Sequence, residues 1–123
     1  MQYVAIAITV LCGLGIITAG VQYLVAPAKT AKSFGLPAWP DGRSLAWLNL
    51  KGVRDIVSGL VALIPLALGQ YQVLAYLLLA AALTPIGDAL TILRYRGNKT
   101  LAYAMHGSTA IIILIASVLF FVS

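Results

Sequence analysis

Apolar residues form four long runs along the chain, and short polar connections separate these runs. The runs cover residues 2–26, 44–68, 71–95 and 100–122. Because about 20 mostly apolar residues suffice for a helix to cross the hydrocarbon core of a bilayer, each run is long enough to span it. The pattern predicts an all-α fold: a polytopic four-transmembrane-helix bundle that forms a single membrane domain over residues 1–123.

The connections between the runs differ in length. The first extends from Pro27 to Gly42, and its middle, residues 28–34, indicates a short helix on the membrane surface. The second is a tight reversal at Gly69 and Gln70, so the second and third helices are expected to be antiparallel neighbours. The long first connection either covers the bundle or forms a lid over an entrance from the lipid, and both hypotheses stay open.

Composition agrees with a membrane protein, because 62% of the residues are hydrophobic and only 9% are charged. The net charge of +5 comes from basic residues that cluster in or near the first and third connections. The positive-inside rule places these connections in the cytoplasm and both termini outside, in a cytoplasmic (inner) or plasma membrane. Topology explains the basic charge, so no nucleic-acid partner is predicted. The basic residues are Lys29, Lys32, Arg43, Lys51, Arg54, Arg94, Arg96 and Lys99.

Three ionisable side chains are predicted to lie at a similar depth in the bilayer. Arg54, Asp88 and His106 are each seven residues from a residue that marks the cytoplasmic end of their helix. At 1.5 Å per residue, this spacing places them about 10 Å below the interface. Ionisable groups at such depth are costly unless they are paired or hydrated, so we expect them to converge inside the bundle with Asp55.

Helical spacing suggests how these groups pair. Lys51 can reach Asp55 one turn away, which leaves Arg54 free to form an ion pair with Asp88 on another helix. His106 is then the titratable group without an obvious counter-ion.

Small residues and a proline accompany these polar positions. Pro85 tends to kink the third helix, while Gly87 and Gly107 reduce the bulk beside the carboxylate and the imidazole. Together they predict a small cavity at this level of the bilayer.

Two carboxylates, a guanidinium and an imidazole can hold a polar group and move a proton near neutral pH. We therefore predict an intramembrane Arg/Asp/Asp/His site, in the cytoplasmic half, that binds a small lipophilic molecule, and its chemical conversion is an extension of this hypothesis. The candidate catalytic residues are Asp55, Asp88 and His106; the ligand-binding ones are Arg54, Asn49 and Tyr103; the supporting ones are Lys51, Ser58 and Gln22.

Other functions remain open. One is a proton-coupled small transporter, and another is a structural or accessory subunit with a buried ion-pair network. One histidine and one remote cysteine do not supply a metal or haem site, so neither a metal nor another cofactor is predicted. The expected partners are the lipid bilayer and a lipophilic ligand, and the sequence leaves open both a homodimer through small-residue faces and whether the protein is an enzyme.

Short motifs resemble those of a known class of membrane proteins. The segment Lys51-Gly52-Val53-Arg54-Asp55 with Gly59, the pair Gly87-Asp88 and the pair His106-Gly107 are similar to small four-helix proteins of the DoxX-like kind. More specifically, the chain resembles an uncharacterised group classed as a domain of unknown function. The resemblance implies a four-helix membrane bundle over nearly the whole chain. Some DoxX proteins are associated with thiosulfate and quinone oxidoreduction, but no redox centre matches here, so that role is not carried over.

Overall fold

The structure, a computed structural model that describes residues 1–123, is entirely helical, which confirms the all-α prediction. The chain contains a short 3₁₀-helix at Gly42–Leu45 and a π-helical segment at Leu101–Gly107. The six α-helices are α1 (Gln2–Val25), α2 (Pro27–Lys32), α3 (Ala46–Ala67), α4 (Tyr71–Ala81), α5 (Leu83–Arg94) and α6 (Ser108–Phe121).

Three helical segments have the length and apolar composition of membrane spans: Gln2–Val25, Tyr71–Arg94 and Leu101–Phe121. The chain is therefore a membrane protein. The helix α3 has 22 residues, but it contains three charged side chains and is not among these three. The predicted count of four spans is not confirmed and stays a prediction.

Two predicted helices are interrupted. The run at 71–95 divides at Ala82 into α4 and α5, because Pro85 has no N–H to donate and its ring clashes with the carbonyl of the residue four positions earlier. The run at 100–122 begins as a π-helix instead of an α-helix. The first interruption lies close in sequence to Asp88, and the second contains His106.

Glycines allow α1 and α3 to pack backbone against backbone. A Cβ atom at Gly52 would lie 2.6 Å from the carbonyl oxygen of Gly20, and one at Gly59 would lie 2.7 Å from that of Gly13. Larger side chains would force the helices apart. The two helices are antiparallel, since the later glycine of α3 meets the earlier glycine of α1. The face that Gly13 and Gly20 form is thus occupied by α3, and the homodimer stays a prediction.

The main hydrophobic core lies at the end of the bundle that holds the termini, where α1, α4 and α6 meet. The Ser117 hydroxyl strengthens this region by donating a hydrogen bond to the Ala75 carbonyl, at 2.7 Å. At this same end α3 packs against α4, whereas at the opposite end it does not pack closely against α5. The buried core residues are Ala5, Leu74, Ala75, Leu78, Ala116 and Phe120.

Candidate functional site

Lys51 and Asp55 form an ion pair on α3. The Lys51 Nζ atom lies 2.7 Å from Asp55 Oδ2, and only 8% of Asp55 is exposed. The same ammonium lies 4.5 Å from the centroid of the Tyr23 ring and 5.3 Å from that of the Phe34 ring, within the range of cation–π attraction. Lys51 therefore neutralises Asp55 while two aromatic rings, from α1 and the first connection, hold it in place.

Asp88 and His106 face each other across two helical segments. Asp88 Oδ2 lies 3.7 Å from His106 Nδ1, which is longer than a hydrogen bond. The Asp88 side chain is 30% exposed, makes no hydrogen bond, and lies within electrostatic range of Lys51 and Asp55. These four side chains, Lys51, Asp55, Asp88 and His106, form what we call the polar cluster.

A backbone carbonyl fixes the orientation of the imidazole. His106 Nε2 lies 2.9 Å from the carbonyl oxygen of Phe34, and the two rings are 4.4 Å apart between centroids. Because a carbonyl oxygen only accepts hydrogen bonds, Nε2 must carry a proton and donate it. The other ring nitrogen, Nδ1, therefore faces Asp88 either as a bare lone pair or as the second N–H of an imidazolium.

The segment that supplies this carbonyl, residues 33–41, is docked on the bundle, and we call it the docked loop. Besides the bond to His106, the Gly35 carbonyl accepts a hydrogen bond of 2.7 Å from the Asn98 N–H. Gly35 has a φ of 117°, a backbone conformation that residues with a side chain rarely adopt. A Cβ atom at Gly97 would collide with the Gly35 carbonyl. These two hydrogen bonds, named here the loop latch, join the first connection to the π-helical segment and to the third connection beside the polar cluster.

Two predicted members of the site lie outside the cluster. Arg54 is exposed and has no carboxylate within 4.0 Å, so the expected Arg54–Asp88 ion pair is wrong. Asp55 faces the bundle, and its neighbour in a helix necessarily points about a quarter turn or more away. Tyr103 is 65% exposed. In an α-helix, Tyr103 would share a face with His106, which is three residues later. The wider turn of the π-helix directs these two side chains to different faces.

Three further predicted residues make hydrogen bonds elsewhere. The Asn49 amide donates to the Tyr23 carbonyl at 2.9 Å and links α3 to α1. The Ser58 hydroxyl donates to the Arg54 carbonyl at 2.8 Å within its own helix. Gln22 is exposed, and its carbonyl accepts a bond of 3.1 Å from Thr30. None of the three hydrogen-bonds to the polar cluster.

Sequence reasoning missed Tyr23 and Phe34. The backbone carbonyl of Phe34 leaves no sequence signal, because every residue has one. The aromatic neighbours of Lys51 become apparent only once α1 and the docked loop are in place.

Two open grooves lie outside the polar cluster. One, of about 460 Å³, is purely apolar and lies between α1 and α6, lined by Ile8, Leu11, Cys12 and Ile112. The other, of about 230 Å³, we call the α5 groove, and it is lined by Leu36, Pro37, Ala38, Thr91 and Tyr95. The cavity expected beside Gly87 is not enclosed, since a Cβ there would meet no atom within 4 Å. No three potential metal ligands come together.

A sequence model of the family described as "Domain of unknown function (DUF4267)" matches residues 13–120, which include the whole polar cluster. The chain belongs to the DUF4267 family. This confirms the expected resemblance to an uncharacterised domain, whereas the match does not show a DoxX-like affiliation. Searches of curated proteins and of solved structures returned no match.

The charges of the DUF4267 polar cluster do not balance when the imidazole is neutral. Lys51 and Asp55 cancel, so the Asp88 carboxylate leaves one net negative charge. A proton on His106 Nδ1 or on Asp88 itself, or a donor group from outside the chain, compensates it. DUF4267 as a family description names no activity, so the choice between these donors depends on the geometry of the site.

Proposed function

We propose that this protein binds a small lipophilic molecule whose polar group donates a hydrogen bond to Asp88. The observation that carries the proposal is the carboxylate itself, which is 30% exposed, makes no hydrogen bond and faces His106 at 3.7 Å. An ionised side chain inside a bilayer is expensive unless a partner compensates it. A ligand that supplies a donor at this point lowers that cost.

In the proposal, the ligand reaches this carboxylate laterally from the lipid, between α3 and α5. The loose packing of these two helices supports this route, because beyond the break at Ala82 α5 no longer packs closely against α3, although α4 does. The docked loop lies over the cytoplasmic end of this route in the proposed topology.

The charge count restricts the polar group of the ligand. With Asp55 already neutralised by Lys51, the remaining negative charge favours a hydroxyl, an N–H or a cationic amine over an anionic group. Conversion of the ligand is an extension of the proposal. In it, Asp88 and His106 Nδ1 exchange a proton with the bound group, while Nε2 stays bonded to the Phe34 carbonyl.

We further propose that α3 is a fourth span. It packs along α1 over the stretch from Gly13 to Gly20, and α1 has the composition of a span. With four spans, the basic connections lie in the cytoplasm and both termini outside, in an inner or plasma membrane.

The ligand proposal is tested by what co-purifies with the protein. We would extract small molecules from wild-type protein and from Asp88→Asn, both purified in the same mild detergent, and compare the extracts by mass spectrometry. The wild-type protein is expected to carry a lipophilic species that is at least tenfold depleted in Asp88→Asn, because the amide removes the negative charge and keeps the shape.

Asp41→Asn is the matched control, because Asp41 is exposed and lies outside the polar cluster. It should retain the species at the wild-type level. Identical extracts from all three proteins would contradict the proposal.

Proton-coupled transport is a second candidate function. The observation in its favour is that both helical segments carrying the facing pair depart from regular α geometry, at the Ala82 break and in the π segment. In proteoliposomes, the co-purified compound should accumulate with an imposed pH gradient, and Asp88→Asn should abolish this uptake. Uptake that is unchanged by the substitution would exclude Asp88 as the coupling residue.

A purely structural role has less support in the geometry. The Lys51–Asp55 pair lies within one helix and cannot fix the order of helices, and Arg54 joins no network. Of the two pairs of oppositely charged groups, only Asp88 and His106 lie on separate helical segments.

A further inference from the structure

A basic side chain lies over each of two aromatic rings beside the α5 groove. Lys32 Nζ lies 5.7 Å from the centroid of the Trp39 ring, and Arg94 Cζ lies 5.8 Å from that of the Tyr95 ring. Neither cation has a carboxylate within 4.0 Å. Both positive charges are therefore uncompensated within the chain.

The groove between these two positions is mostly apolar. One wall is formed by residues 36–38 of the docked loop, which Trp39 follows directly, and the other by Thr91 and Tyr95 of α5. Its volume is about 230 Å³, and it is open to the surroundings. Each wall thus has an aromatic ring with a basic side chain over it. An apolar groove next to two positive charges suits an amphiphile with an apolar chain and an anionic head.

We propose that the α5 groove binds one anionic phospholipid from the leaflet that adjoins the basic connections. The upper part of an acyl chain lies against Leu36 and Tyr95, and the phosphate lies between Lys32 and Arg94. Charge complementarity selects an anionic lipid over a zwitterionic one, since neither cation has a carboxylate partner. This ligand is distinct from the one proposed at Asp88, which must supply a donor where the phospholipid supplies acceptors.

Other basic residues at the same end of the bundle provide a matched control. Lys29 and Lys99 are exposed and lie on no aromatic ring. Replacing both removes as much charge as replacing Lys32 and Arg94, but leaves the groove unchanged. The comparison separates a defined site from general attraction to a negative surface.

The test uses tryptophan fluorescence as a local reporter. The chain has two tryptophans, so Trp47→Phe leaves Trp39 as the single tryptophan, and excitation at the red edge of the absorption band avoids the tyrosines. The full chain is reconstituted in phosphatidylcholine vesicles that contain brominated phosphatidylglycerol or brominated phosphatidylcholine as a quencher. Brominated phosphatidylglycerol should quench Trp39 at a roughly thirtyfold lower mole fraction, given about 1 kcal/mol of attraction for each of the two basic residues.

In Lys32→Gln/Arg94→Gln this preference should fall to nearly onefold, whereas Lys29→Gln/Lys99→Gln should keep most of it. The preference is a ratio measured within each variant, so a change in Trp39 emission does not affect it, and circular dichroism verifies that each variant is helical. Equal quenching by the two lipids in the Trp47→Phe parent would overturn the proposal. An equal loss in both double variants would also overturn it, because diffuse surface charge would then account for the preference.

Discussion

The backbone contact between α1 and α3 makes a quantitative prediction for Gly52→Ala. The added Cβ would lie 2.6 Å from the Gly20 carbonyl oxygen and 3.1 Å from atoms of Tyr23 and Leu24. Because ordinary van der Waals contact begins near 3.4 Å, the two helices must separate locally by about 0.8 Å. Overpacking of this kind costs about 1–3 kcal/mol, and the better helix propensity of alanine offsets roughly 0.5–1 kcal/mol of it.

Gly52→Ala is therefore expected to lower the free energy of unfolding by roughly 1–2 kcal/mol. The measurement is a reversible titration from a mild detergent into dodecyl sulfate, followed by circular dichroism. Gly15→Ala is the control, since Gly15 is helical and a Cβ there meets no atom within 4 Å. It should be neutral or stabilising by up to about 1 kcal/mol.

A double variant sharpens the test. The extra methyl groups of Gly20→Ala and Gly52→Ala require the same separation of the helices, so the double variant should cost about 1 kcal/mol less than the two single costs together. The reasoning is refuted if Gly52→Ala behaves like Gly15→Ala, or if the two single costs are simply additive.

Three further predictions concern the docked loop and the polar cluster. Gly97→Ala should free the docked loop and make tryptic cleavage in the first connection roughly tenfold faster. The control is Gly87→Ala, whose added methyl group meets no atom within 4 Å and should leave the cleavage rate unchanged. Equal cleavage rates in the two variants would argue against the loop latch. His106→Phe keeps a ring but removes the N–H donor, so cleavage should again accelerate, and protection at the wild-type level would show that the donor is dispensable. Lys51→Met leaves the Asp55 carboxylate without its partner and should lower the free energy of unfolding by roughly 1–3 kcal/mol. Lys51→Met/Asp55→Leu should recover most of this loss, and failure to do so would indicate that packing rather than charge is responsible.

Some features of the site follow from local spacing alone. The apolar runs identify a helical membrane protein because lipid requires backbone hydrogen bonds to close within each segment. The Lys51–Asp55 pair lies four residues apart on one helix, so its proximity is a property of helical geometry. Depth counting likewise placed Asp88 and His106 at one level, and the structure has them 3.7 Å apart.

Other features depend on contacts that spacing does not encode. The π segment changes which residues share a face, so His106 turns inward while Tyr103 remains exposed. The choice between Arg54 and Asp55 as the inward residue depends on how α3 rotates to pack its glycines on α1. The loop latch depends on the backbone carbonyls of Phe34 and Gly35, which have no side-chain signature, and the glycines at 35 and 97 are the only residue types in the sequence that indicate a close approach there.

The contact between Phe34 and His106 also has a consequence for the biogenesis of the protein. It joins residues 72 positions apart, and chains emerge from the ribosome with the N-terminal part first. When α1 and α3 have already been synthesised, the first connection still has no imidazole to bind, and Asp88 has no facing group. Both stay without these partners until the last helical segment has been made. Closure of the first connection thus reports, at the cytoplasmic surface in the proposed topology, that synthesis and insertion are complete.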